Sequence, residues 1–294
     1  MFQGSMVALI TPFNNGVVDE NALRELVEFH ISEGTDAIVP CGTTGESATL
    51  SKEEHCKVIE IVIDQAKKRV PIIAGAGSNN TKESVALAEH AKQAGADAIL
   101  SITPYYNKPT QKGLYEHFKY IASSVDIPII LYNVPGRTGV NLLPDTVIEL
   151  SKIKNIVGIK EASGSIEQAC NIINNVPSDF VLLSGEDALT FPLMCLGAKG
   201  VISVVANLAP KLMHQMCQYT LESDMIKAKE LHYKLFELSK VVFIETNPIP
   251  AKHGAYLMGL VSQELRLPLV PISKENGKKL AEVMTTLGIN LVNN

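Results

Sequence analysis

The sequence predicts a (β/α)8 barrel followed by a C-terminal helical extension. Three observations carry that expectation: eight short runs rich in Val, Ile and Leu recur in series, amphipathic patterns separate them, and the runs cease near residue 225. Nearly continuous apolar runs suit strands buried on both faces, hence a parallel sheet. Eight strand–helix units within about 220 residues fit a closed barrel better than an open doubly wound sheet. An open sheet would also usually carry a glycine-rich fingerprint after its first strand. Here that strand leads into TPFNNG.

In chain order the runs are VALIT from Val7, AIVPCG from Ala37, VPIIAGAG from Val70 and AILSITP from Ala98. IPIILYNVP follows from Ile127, IVGIKEA from Ile156, FVLLSGE from Phe180 and GVISVVAN from Gly200. Helix starts stand between them. Asp19 precedes the periodic Leu23, Leu26, Val27 and His30, while Ser51 with Glu54 and Ser165 with Gln168 fit the capping box. Residues 1–224 are therefore assigned to the barrel and residues 225–294 to the extension. Within the extension, MIKAKELHYKLFELSKVVF and residues 273–287 read as helices, with NPIPAKHG as the break between helices.

A chain of 294 residues that is 46% apolar can bury a full core without disulfides or a metal. With 19% charged residues and a net charge of -5, it has no general attraction for nucleic acid or anionic lipid. Cys41, Cys56, Cys170, Cys195 and Cys217 are dispersed without CxxC spacing, as expected of reduced thiols in a cytoplasmic protein. The opening MFQGSMVALITPFNNG lacks the basic flank of a signal peptide. No apolar stretch approaches the roughly 20 residues that cross a bilayer. The histidines show no metal-ligand spacing and there is no Walker loop, so neither a metal nor another cofactor is expected.

Catalytic groups of such barrels sit at the C-terminal ends of the strands. Lys160 terminates one, in Ile156-Val157-Gly158-Ile159-Lys160. Period-2 alternation puts Ile156, Gly158 and Lys160 on one face, with Val157 and Ile159 facing the helices, so Lys160 points into the barrel. An unpaired ammonium is costly to bury there, and a neutral amine in a dry pocket is what attack on a ketone requires. The alternative is an ordinary salt-bridged lysine, with Glu161 beside it as partner. Tyr132 ends the preceding strand with the same parity and is placed to shuttle protons, unless it is simply a core tyrosine. After the second strand, Gly42-Thr43-Thr44-Gly45-Glu46 can present amides and hydroxyls to a carboxylate, although Gly-Thr loops are also ordinary turn chemistry. Arg137, just past the fifth strand, suits bidentate capture of a carboxylate, or is a solvated loop charge.

GTTGE from Gly42, YNVPGRTG from Tyr132 and GIKEASG from Gly158, in this order and on these strands, resemble the pyruvate-dependent class I aldolase and lyase superfamily. Within it the chain is similar to the dihydrodipicolinate synthase family, from TPF near the N-terminus through NPIPAK near residue 250. The resemblance implies a lyase that condenses pyruvate with aspartate semialdehyde in diaminopimelate and lysine biosynthesis. Lys160 would form the Schiff base, and Tyr132, Thr43 and Tyr106 a proton relay, with Tyr106 inserted from a neighbouring subunit. Thr44 and Ile202 would contact pyruvate, and Arg137 the semialdehyde carboxylate. A homo-oligomer, a tetramer built as a dimer of dimers, is implied. So is an inhibitory lysine site at Ser47, Ala48, His55, Asn79, Glu83 and Tyr105. Two alternatives stay open: a sialic acid or keto-deoxy-sugar lyase on the same scaffold, and a non-catalytic barrel that binds small acids.

Overall fold

The computed structural model describes residues 2–293. Eight strands form one parallel sheet: β1 (Gly4–Ala8), β2 (Ala37–Val39), β3 (Ile73–Gly75), β4 (Ala98–Ile102), β5 (Ile129–Asn133), β6 (Ile156–Glu161), β7 (Val181–Ser184) and β8 (Gly200–Ser203). Their order is β2-β1-β8-β7-β6-β5-β4-β3, and a parallel bridge between Ile38 and Ile72 joins the two ends into a nearly closed barrel. Seven of the predicted runs hold one strand each; the first, from Val7, overlaps only the last two residues of β1, which begins at Gly4.

A helix longer than one turn follows each strand: α1 (Glu20–Ser32), α2 (Lys52–Ala66), α3 (Thr81–Ala94), α4 (Gln111–Ser124), α5 (Pro144–Leu150), α6 (Ile166–Asn175), α7 (Thr190–Cys195) and α8 (Pro210–Leu221). Five of their starts (α1, α2, α3, α4 and α6) use local side-chain oxygens to satisfy amides that have no intrahelical acceptor. Asp19 accepts from Ala22 N, and Ser51 with Glu54 forms the complete capping box. Ser165 also accepts from Gln168 N, but the Gln168 amide turns away to Glu161 and Asn141, so the expected second box is only half made.

Alternation along the strands builds two apolar layers. Met6, Ala8, Val39, Leu100, Ile130 and Leu183 fill the barrel, while Val7, Ile38, Ile99, Leu131 and Leu182 face the helices. Burying both sets explains why each strand reads as continuously apolar. Strand β6 departs from simple parity. Its register against β5 slips, pairing Ile129 with Ile156 but Ile130 with Gly158, and Ile156 consequently joins the outer layer while Val157 packs against the inner one. The bulge precedes Gly158, so Ile159 still faces out and Lys160 in.

Beyond α8 come α9 (Met225–Val241), α10 (Ile249–Leu257) and α11 (Lys274–Thr286). NPIPAKHG is not a break between helices; its last six residues start α10. Pro250 falls within the first turn, where a missing amide costs no hydrogen bond. Helix α9 packs on α8, and α11 packs on both α9 and α10. Among the described residues, no helix is long and apolar enough to cross a membrane.

Candidate active site

At the C-terminal end of the barrel, Tyr132 on β5 and Lys160 on β6 are register partners. The Lys160 Nζ lies 4.5 Å from the centroid of the Tyr132 ring. Lys160 is only 5% exposed, and among the described residues its ammonium has no ion-pair or hydrogen-bond partner. Glu161 is not that partner. Its carboxylate faces the other way, accepting from Asn133 Nδ2 at 3.0 Å, Ser163 N at 2.7 Å and Gln168 Nε2 at 3.1 Å. Room for the lysine is made by Gly185 after β7, where an added Cβ would stand 3.1 Å from Lys160 Cε and 2.5 Å from Ala162 Cβ.

Lys160 opens into a recess of about 60 Å3 whose walls include Thr43, Thr44, Tyr132, Arg137 and Glu186. In the loop after β2, Gly45 N donates to Gly42 O at 3.1 Å, Glu46 N to Thr43 O at 3.1 Å and Ser47 N to Gly42 O at 3.4 Å. The turn thus consumes two of the amides that the sequence offered to a ligand, those of Gly45 and Glu46. Those of Thr43 and Thr44 donate to no protein group among the described residues, and they belong to the residues facing the recess. Asn247 Nδ2 donates to Thr44 Oγ1 at 3.0 Å, which leaves the threonine's own proton for a ligand. Arg137, on a one-turn helix (Pro135–Thr138) after β5, donates from Nη2 to Asn247 O at 3.3 Å and stands at the rim. Burial and the neighbouring Asp187 push the Glu186 carboxyl above the usual range, against the opposing pull of Lys160 and Arg137.

Ile202 lies on β8 in the inner apolar layer, and it is Val204, two residues on, that lines the recess. Tyr106 stands outside. It is 89% exposed, with φ at +71°, a backbone setting unusual for a bulky residue. Thr43, Tyr132 and Arg137 also edge a larger cleft of about 500 Å3, which is lined by Ser47, Ala48, His55, Glu83 and Tyr105 as well. Asn79 flanks that cleft, donating to Tyr105 O at 3.2 Å. Burial holds His55 neutral, with a pKa of about 4, and its Nδ1 is buried without a partner. The Glu83 carboxylate accepts from the Ser78 hydroxyl.

With this geometry in view, the dihydrodipicolinate synthetase family matches residues 1–287. The chain belongs to that family. A relative from Geotalea daltonii named 4-hydroxy-tetrahydrodipicolinate synthase is 58% identical over 97% of this chain and 98% of its own. The dihydrodipicolinate synthase of Aquifex aeolicus superposes with a TM-score of 0.98 at 52% identity, covering 99% of this chain and 100% of its own. The chloride-inhibited Acinetobacter baumannii enzyme, solved with pyruvate, gives 0.97 at 48%, over 99% and 100%. The Cyanidioschyzon merolae enzyme, solved with lysine bound, gives 0.96 at 38%, over 98% and 99%.

This member of the dihydrodipicolinate synthetase family also holds site residues that sequence patterns did not single out. Glu186 adjoins the recess. Asn247 supports both Thr44 and Arg137 from the extension, inside the segment read as a break. Asn133, Asn141, Gln168 and Glu161 form a hydrogen-bonded cluster behind the ends of β5 and β6, clamping the backbone from which Tyr132 and Lys160 project.

Proposed function

We propose that Lys160 is the Schiff-base residue of an enzyme that condenses pyruvate with aspartate semialdehyde to 4-hydroxy-tetrahydrodipicolinate. The observation that carries this reading is a buried, unpaired lysine at a strand end, beside a tyrosine and facing an inner recess. The Lys160 amine attacks the pyruvate ketone, and loss of water gives an imine. Loss of a methyl proton then yields the enamine, whose carbon attacks the aldehyde. The substrate's own amine finally displaces Lys160 and closes the ring. Tyr132 carries protons for these steps. The Thr44 hydroxyl and the free Thr43 and Thr44 amides take the pyruvate carboxylate, with Ile202 supporting the recess from below. Arg137 takes the carboxylate of the semialdehyde.

The proton relay runs from Tyr132 through Thr43 to a Tyr106 supplied by a second subunit. Its exposure and positive φ favour a role outside its own chain. We assign a homotetramer of paired dimers, a catalytic barrel over residues 1–224 with a helical extension over residues 225–294, and a cytoplasmic location, where the five free cysteines stay reduced. Complementation tests the shared site. Tyr106→Phe and Thr43→Val variants should each turn over slowly, and a mixture should regain activity because one site per mixed dimer keeps both residues. No recovery, with subunit exchange demonstrated, would remove Tyr106 from the neighbouring site.

Free lysine is the inhibitor, bound in the larger cleft. Glu83 receives an ammonium, Asn79 and Tyr105 a carboxylate, and Ser47, Ala48 and His55 complete the wall. Because Tyr105 is bonded to Tyr106, a ligand fixing one biases the other, which provides a route between two sites. One assay tests both activity and control: initial rates with pyruvate and aspartate semialdehyde, titrated with lysine. Turnover that falls as lysine rises is expected. No product sinks the catalytic assignment, whereas product formation indifferent to millimolar lysine, with the oligomer intact, sinks only the regulatory one.

A further inference from the structure

We propose that the buried ion pair between Glu46 and Lys252 positions the pyruvate-binding loop, making both positioning residues for the condensation. This rests on the assignment of Thr43 and Thr44 to pyruvate made above. Glu46 closes that loop in a left-handed conformation (φ 54°, ψ 34°) that a glutamate seldom adopts unaided. Its amide donates to Thr43 O at 3.1 Å, and its carbonyl receives Thr49 N at 3.0 Å and Thr49 Oγ1 at 3.1 Å. The backbone around Thr43 and Thr44 therefore depends on where Glu46 is held.

That hold comes from the other end of the chain. Lys252 Nζ on α10 donates to Glu46 Oε1 at 2.5 Å, and both side chains are 1% exposed. Arg266 N donates to Glu46 Oε2 at 3.1 Å. The Phe13 ring meets both cations, its centroid 4.1 Å from Lys252 Nζ and 4.4 Å from Arg266 Cζ. Arg266 Nη1 also donates to Thr49 O at 3.0 Å, so the far end of the loop is tied as well. Burial draws Lys252 down to about 8 while Glu46 opposes the shift, which leaves the lysine charged at neutral pH.

Stability alone is a poor reason for such a pair. Two charges removed from water are often matched or bettered by an apolar pair of equal volume. What apolar side chains cannot supply is a directional bond to one carboxylate oxygen. The pair fixes the loop in place, and through it the amides that receive a ligand carboxylate.

Lys252→Met alone would strand a buried carboxylate and is expected to unfold the chain, so the deciding variant is E46Q/K252M, which removes both charges at nearly constant volume. It is to be measured beside Thr44→Val, with thermal unfolding and separate KM and kcat for pyruvate. The double variant should stay folded, with kcat/KM for pyruvate down about 10–100-fold, chiefly through a higher KM, as a displaced binding group predicts. Wild-type constants in the folded double variant overturn the proposal. A loss of activity that merely follows the unfolded fraction at unchanged KM does so too, as does failure to fold, which would make the pair a strut. An unchanged KM in Thr44→Val would instead sink the pyruvate assignment.

Discussion

Borohydride added to the enzyme with pyruvate should inactivate it through a single adduct, carried by Lys160. The reagent reduces an imine to a stable amine, so the label records which nitrogen attacked the ketone. Lys160 is buried, free of any carboxylate partner and open to the recess. Lys252, the other buried lysine, is committed to Glu46, and Lys108 and Lys199 lie outside the recess. Lys160→Met preserves most of the side-chain volume and removes the nucleophile. It should cut kcat by about 10⁴-fold or more, on the scale seen when a covalent nucleophile is deleted, while the chain remains folded. Peptide mapping decides the matter: an adduct on Lys108, Lys199 or Lys252, or none at all, would refute the mechanism.

Arg137→Ala should divide the two substrates. Removing one member of a charge-assisted contact costs about 2–5 kcal/mol, or about 30- to 5,000-fold. That loss is expected in kcat/KM for aspartate semialdehyde. Imine formation with pyruvate should be nearly untouched, because Lys160 and the Thr43–Thr44 amides remain. Arg137 is exposed and, among the described residues, donates to the protein only through Asn247 O at 3.3 Å, so its removal leaves no buried charge behind. The borohydride reaction reads the pyruvate half separately. If imine trapping falls as far as turnover, Arg137 serves pyruvate or the fold rather than the second substrate.

What sequence patterns could reveal follows from how far each constraint reaches. Double-sided burial stamps every strand of a parallel barrel with the same apolar run, so eight strands were legible. Parity then aimed Lys160 and Tyr132 inward. It succeeded for Lys160 although Ile156 and Val157 were misassigned, since the slip in β6 precedes Gly158 and leaves the last three residues in phase. Asn247 and Lys252 were hidden for a different reason. Two prolines nearby read as a stop, whereas Pro250 sits in a helical first turn, and nothing local reports a partner 206 residues away. Tyr106 is silent in the pattern because its neighbours within one chain give it no surface to pack on. The capping oxygen of Ser165 was visible, but the competing claim of Glu161 on Gln168 was not.

The long span from Glu46 to Lys252 also sets a sequence of events during synthesis. The loop assigned to pyruvate leaves the ribosome with a glutamate 206 residues ahead of the lysine that pairs with it. At about 5–20 residues per second, that interval is roughly 10–40 s. Throughout it the glutamate has no cation to meet, and the loop's backbone has no tie to α10. A nascent chain stopped just before Lys252 already holds every residue assigned to pyruvate. Yet it lacks the cation proposed to hold their loop, so that tie to Glu46 forms only when the tail is made.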